Sequence, residues 1–461
     1  MIDVIRERLS RLPLLFRPAV VGGVLLAGMV FAFLISRLEH PELPLLLAAF
    51  PLLGLILYRY GRIEHGVLGI VLVAATIRYG LPTGTQSRIP VSMVVTVSTI
   101  VVWVIGVMVT RKRLRLAPSP TNIPLLGFVA ASVVSFIWGN VFRDVLVVPW
   151  RSWPFVQLGG LAVMVLLPGA FLLAANHLGE VRWISLLVLL LLVIGTIYIF
   201  GDRLHLPVRF LQVRPLFPMW MICLSYTLAI TDRKLPLWVR GLLLILAGAW
   251  GYHVFIQKFR WLSAWLPSGA AILVISLLRS RMALVILLLI AVLYVGFNID
   301  AIEARLEAER TESGETRLDA WLHNWRVTSK HWLFGVGPAG YALYYMSYFP
   351  TEAMATHSNY IDILSQTGVV GLTLFLWFFL AVGFCAWRLW RRVRKRGDFV
   401  EAFSLATLGG WVGAMLAMAL GDWLVPFVYT QTIAGFDYAS YTWVLLGAMV
   451  ALYVREYLAN V

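Results

Sequence analysis

A chain of 461 residues that is 60% hydrophobic and only 13% charged, with a mean hydropathy of +0.83, is not a water-soluble domain. Soluble folds carry about a quarter charged residues. The formal net charge of +15 does not mark a nucleic-acid binder either, because the basic residues fall in short groups between apolar runs. Cys223 and Cys385 both lie inside apolar runs, which excludes a disulfide framework and a cysteine-based metal site.

The apolar runs recur from end to end and are long enough to cross a ~30 Å hydrocarbon layer as helices. In chain order the pattern predicts spans at 18–36, 43–58, 66–80, 91–109, 124–139, 155–176, 183–200, 216–230, 236–252, 261–278, 282–298, 368–387, 403–420 and 438–454. That is twelve to fourteen spans, since the short third run also has the length of a re-entrant segment. The expected fold class is an all-α polytopic membrane protein: transmembrane helices over 1–298, a hydrophilic helical excursion over 299–356, and C-terminal transmembrane helices over 357–461. Arg6, Arg8, Arg11 and Arg17 precede the first run and no small-residue cleavage pattern follows it, so no cleaved leader is expected.

Alternating the loops from a cytoplasmic N-terminus gives the cytoplasmic side 23 of the 38 Lys and Arg and 8 of the 23 Asp and Glu. The other side receives 15 of each. This is the positive-inside asymmetry, and it puts both termini in the cytoplasm. The run Arg391 to Arg396 reads as a topology anchor against anionic lipid. The informative charges are the outer cations that topology does not require, among them Arg151, Arg214, Lys258, Arg260, Arg317 and His357.

Within the excursion, residues 299–332 read as polar helix. Thr316 and Asp319 have capping-box spacing, which places Arg317 in a first helical turn. Leu318, Trp321, Leu322, Trp325 and Trp332 then form a tryptophan-rich stripe suited to a headgroup layer. Free N–H groups at such a helix start, beside a guanidinium, suit a diphosphate; the alternative is a solvated surface helix with aromatic anchors. Gly335-Val336-Gly337-Pro338-Ala339-Gly340 lacks the Lys-Ser/Thr of a phosphate loop and reads as a turn. Beyond it, His357, Ser358, Asn359 and Asp362 stand at the mouth of the next apolar run. Asp362 is five residues from His357, out of register for an i+4 partner on a straight helix, and reads as a cap.

Three segments carry a resemblance: Arg317 with Trp321, then His331-Trp332-Leu333-Phe334-Gly335-Val336-Gly337-Pro338, then His357-Ser358-Asn359-Tyr360-Ile361 with Gln366-Thr367-Gly368 and Gly371-Leu372. In order and spacing, over roughly residues 315–380, they resemble the bacterial O-antigen ligase superfamily. That group comprises lipopolysaccharide O-antigen ligases, O-antigen polymerases and certain protein O-oligosaccharyltransferases. Gln257-Lys258-Phe259-Arg260-Trp261 is similar to the family's Ser/Thr-Arg element, departing from it at Phe259 and Trp261. Leu211-Gln212-Val213-Arg214-Pro215 is similar to its arginine-before-span element. Ser358 stands where an asparagine is common.

The resemblance implies a GT-C-like membrane glycosyltransferase of the bacterial inner membrane with a periplasmic active site. Its donor would be an undecaprenyl-diphosphate-linked glycan, and its acceptor lipid A–core or another glycan hydroxyl. Catalysis is expected from His357 as base and from Arg317, with Arg260, Arg214, Lys258 and Arg151 binding substrate. Arginine forks suit a departing diphosphate, and no external DxD or His/Asp cluster is present, so no metal or cofactor is expected. Membrane lipids are expected partners and nucleic acid is not. A polymerase of the same superfamily would need the same groups. A lipid-linked glycan transporter is the remaining alternative, and it would call for charges near mid-span.

Overall fold

A computed structural model describes residues 62–458 except 83–87, 112–115, 207, 212, 215, 259–261, 310–314 and 351–354. The predicted spans 18–36 and 43–58 lie outside the described residues, as does Arg260. The rest is an all-α polytopic membrane protein.

Its apolar helices are α1 (Ile63–Thr76), α2 (Val91–Arg111), α3 (Asn122–Val141), α4 (Trp153–His177), α5 (Val181–Arg203) and α6 (Leu216–Thr231), then α7 (Leu237–Tyr252), α8 (Leu262–Arg279) and α9 (Arg281–Phe297). A short antiparallel hairpin, β1 (Gly80–Pro82) and β2 (Arg88–Pro90), joins α1 to α2. The excursion contributes α10 (Ile299–Glu309), α11 (Glu315–Thr328) and α12 (Gly340–Tyr348). Helices α13 (Asn359–Val393), α14 (Phe399–Leu420) and α15 (Phe436–Leu458) close the chain. Six of these helices are long and apolar enough to cross a membrane, and five shorter ones are also apolar. Helices dominate because hydrocarbon offers backbone N–H and C=O groups no partner outside the segment itself.

Each connection returns the chain to the opposite end of the bundle, and the contacts follow that alternation. At one end Arg233 N–H meets the Gly397 carbonyl (3.0 Å), Arg279 pairs with Glu401 (3.8 Å) and Arg396 pairs with Glu456 (3.1 Å). At the other end gather β1 and β2, residues 142–152, the described residues of 203–214, those of the excursion and residues 421–435. The buried acids Asp362, Glu401 and Asp437 all sit in first helical turns, where the positive end of the helix dipole favours them. The core between α4, α13 and α15 is aromatic: Phe378 stacks on Trp443 at 5.5 Å, and Phe171 meets Phe378 edge-on at 5.0 Å.

Helix α13 begins at Asn359, nine residues before the apolar run, and is broken at Gly368 (φ +67°, ψ −171°). A break exposes backbone groups that a straight helix would pair internally, and residues 332–337 take up all four. The carbonyls of Ser365 and Gln366 accept from the N–H groups of Val336 (2.9 Å) and Gly337 (3.0 Å). The N–H groups of Val369 and Val370 donate to the carbonyls of Trp332 (2.8 Å) and Leu333 (3.3 Å). The glycine-rich segment read as a turn is therefore a backbone clamp on a broken helix, which is how irregular chain is tolerated at membrane depth. Positive φ at Gly335 and Gly337, and a Cβ at Gly368 that would lie 2.2 Å from the Leu333 oxygen, explain the glycines.

Candidate active site

His357 lies between two pinned residues. The Trp321 indole N–H donates to the Thr356 carbonyl (2.7 Å). The Asn359 amide donates to the Val425 carbonyl (2.6 Å) and accepts from Leu424 N–H (3.2 Å). Fixed on both sides, His357 adopts a left-handed backbone (φ +48°) and stays exposed at the mouth of α13. That conformation costs a non-glycine residue about 1–2 kcal/mol and persists only where its surroundings impose it.

Helix α11 supplies the second group. Arg317 and Trp321 are four residues apart and so share one helical face, the face turned to Thr356. Leu318, Leu322 and Trp325 lie exposed on the other side, so the tryptophan stripe divides: Trp321 anchors the loop before His357 while the rest faces outward. The helix starts at Glu315, so Arg317 sits in its first turn, but Thr316 already lies inside the helix and is not the N-cap that the capping-box spacing called for.

The third group, Asp422, gave no sequence signal beyond being an acid at a span end. It is buried, and its carboxylate accepts from Thr430 Oγ1 (2.7 Å), Gln431 Nε2 (2.8 Å) and Phe427 N–H (3.2 Å). The loop that carries it is held by the Trp443 indole N–H on the Leu424 carbonyl (2.8 Å). Although solvent reaches His357, partial loss of hydration is the largest influence on its imidazole and pushes the pKa below the ordinary 6.5. Asp422 opposes that shift and Arg317 adds to it. Arg317 and Asp422 thus both lie within electrostatic reach of His357. Asp362 is engaged elsewhere, accepting from the Gln366 amide, whose Oε1 in turn accepts from Ala339 N–H (2.5 Å).

A second constellation occupies the same end of the bundle. A cleft of about 410 Å³ is lined by Arg78, Arg88, Arg214, Lys258, Asp437 and Tyr438, among others. Of the expected substrate-binding cations, Arg214 and Lys258 line it. Arg317 and His357 do not. The Arg214 guanidinium lies 4.6 Å from the centre of the Tyr438 ring and 3.4 Å from its hydroxyl. Arg78 and Arg88, which also line the cleft, were not among the cations the sequence singled out. Arg151 is exposed in the 142–152 connection and lines neither constellation. That connection is tied to α12 and the excursion by Tyr348 Oη on Asp144 (2.7 Å) and Lys330 Nζ near Asp144 (3.8 Å). Among the described residues, no three His, Cys, Asp or Glu side chains form a group able to hold a metal ion.

Comparison with known proteins gives one family match. Residues 219–376 match the family model described as O-antigen ligase, a stretch that includes Arg317, His357, the clamp and the broken helix. No curated protein matches the chain.

Proposed function

We propose that this membrane protein, whose residues 219–376 match the O-antigen ligase family model, is a glycosyltransferase that moves a glycan from undecaprenyl diphosphate to an acceptor hydroxyl. Lipid A–core is the acceptor we favour. The acceptor oxygen attacks the anomeric carbon, and His357 takes the hydroxyl proton. The bond between that carbon and the diphosphate oxygen breaks, and its electrons leave with the diphosphate. Arg317 stabilises the charge that accumulates there, because a guanidinium stays protonated and grips phosphate oxygens in a fork, while Arg214 and Arg260 serve to bind the donor. Asp422 steadies the charged form of the imidazole after proton transfer.

The observation that carries this reading is that Arg317 shares the face of α11 whose Trp321 holds the Thr356 carbonyl, one residue before His357, at the mouth of α13 inside the matched region. The basic stretches crowd the opposite end of the bundle, which supports a cytoplasmic position for that end and a periplasmic position for the site, in the bacterial inner membrane. The test is to incubate the purified protein with undecaprenyl-diphosphate glycan plus either lipid A–core or a second lipid-linked glycan, and to weigh the products. Glycosylated lipid A–core is the expected product. Lengthened lipid-linked glycan would identify the polymerase branch, and no product from either acceptor would end the proposal.

A further inference from the structure

The hairpin between α1 and α2 is built as one wall of the basic cleft. Its register pairs Gly80 with Pro90, Leu81 with Ile89 and Pro82 with Arg88. Side chains alternate faces along a strand, so Arg88 and Pro90 project to the side of Gly80 while Leu81 and Ile89 project away. Gly80, Arg88 and Pro90 line the cleft, and Ile89 packs against the hydrophobic core. Gly80 makes the arrangement possible: a Cβ there would lie 2.7 Å from Arg88 Cβ and 3.6 Å from its Cδ, so the arginine stem passes over the glycine. Just before the strand, Arg78 donates to the Leu211 carbonyl (3.1 Å), which ties it to the segment leading to Arg214.

The cleft therefore gathers four cations, from the hairpin and the residues just before it (Arg88, Arg78), the approach to α6 (Arg214) and the segment after α7 (Lys258), around one carboxylate, Asp437. Asp437 is turned by the Ser92 hydroxyl. Among the described residues none of the four cations has a carboxylate within ion-pair distance. Four cations converging without ion-pair partners leave a strong positive potential in a water-accessible hollow, which suits a compact polyanion better than a single carboxylate.

We infer that the hairpin is part of the binding site for a diphosphate headgroup, with Arg78 and Arg88 completing, beside Arg214 and Lys258, a cradle of four cations. Diphosphate as the ligand rests on the function proposed above; the hairpin's participation rests on its register and on the cleft. Tyr79 also lines the cleft, beside the space a sugar next to the phosphates would occupy.

The test uses the full chain in nanodiscs with two probes, inorganic pyrophosphate and undecaprenyl diphosphate, and reads the dissociation constant of each. Arg78→Gln and Arg88→Gln should each weaken both probes roughly ten-fold, the loss expected for one charge-assisted contact. Gly80→Ala should weaken them similarly with every charge retained, because it displaces the Arg88 stem. Arg182→Gln, which removes a charge that pairs with Glu180 at the opposite end, should change neither constant. Wild-type affinity in both hairpin arginine variants would overturn the inference, as would binding of pyrophosphate without the lipid. Weakened binding in those variants, with no transfer by the wild type to any acceptor, would sink the enzymatic reading and leave the cradle standing. Normal transfer with unaltered binding in the variants would do the reverse.

Discussion

His357 combines an exposed imidazole with a left-handed backbone, and any test of it has to separate the two. Alanine removes the base but also sits badly at positive φ. Asparagine tolerates the left-handed region and offers no base, so His357→Asn should leave folding intact and cut transfer by at least about 100-fold, the usual contribution of a general base. Near-wild-type turnover in His357→Asn would remove the base from the mechanism. The acid limb of the rate profile follows the same electrostatics. Transfer should fall with an apparent pKa below 6.5, because burial and Arg317 favour the neutral imidazole. Asp422 raises that pKa, so Asp422→Asn should move the limb to lower pH while slowing transfer; a stationary limb would mean that Asp422 does not act on His357. Arg317→Lys should lose on the order of 100-fold, since lysine keeps the charge without the fork. Arg317 and His357 could be singled out from the sequence because each stands in a distinctive local pattern on the face expected to lie outside. Asp422 was not, since its partners at 427–431 and its neighbour His357 meet only in the folded chain.

The clamp on the broken helix makes its own prediction. Gly368→Ala adds a Cβ 2.2 Å from the Leu333 oxygen at a φ of +67°, where backbone on both sides is held by cross-segment hydrogen bonds. Left-handed strain alone costs about 1–2 kcal/mol, and the collision adds to it by prising the clamp apart. The variant should melt at a clearly lower temperature in detergent and lose activity, because α13 carries the His357 loop at its mouth. Gly241→Ala is the control: nothing lies within 4 Å of its Cβ, and alanine is the better helix former by roughly 0.5–1 kcal/mol. Equal melting temperatures for the two variants would show that the clamp does not hold the fold together. At this scale the sequence was a good guide to the apolar spans, whose described ends fall within a few residues of the expected ones. It failed at 359–367, because hydropathy senses contact with lipid and not helicity. That stretch is helical, but its polar side chains face protein: Asp362 is met by Gln366, and Gln366 by Ala339. The Gly335–Gly340 segment looked like a turn for a related reason, since its partner lies some thirty residues away.

The whole molecule gathers its chemistry at one end and its basic anchors at the other, a division already visible in the alternation of charges along the chain. What the alternation could not supply is lateral order, meaning which loops at the site end are neighbours. The hairpin arginines were passed over because Arg78 meets the Leu211 carbonyl and shares the cleft with Arg214 only once α1, α2, α6 and α15 have packed. The orientation of the bundle is the global prediction. Basic residues resist translocation, so the end bearing Arg391 to Arg396 should face the cytoplasm and the end bearing the excursion should face outward. The native cysteines, Cys223 and Cys385, are both buried, which leaves little background for a membrane-impermeant maleimide. Lys330→Cys, at an exposed position in the excursion, should label in intact spheroplasts. Arg391→Cys, exposed near the end of α13, should label only after the membrane is permeabilised. The opposite pattern would put His357 and the cleft in the cytoplasm, on the wrong side for a periplasmic glycan transfer.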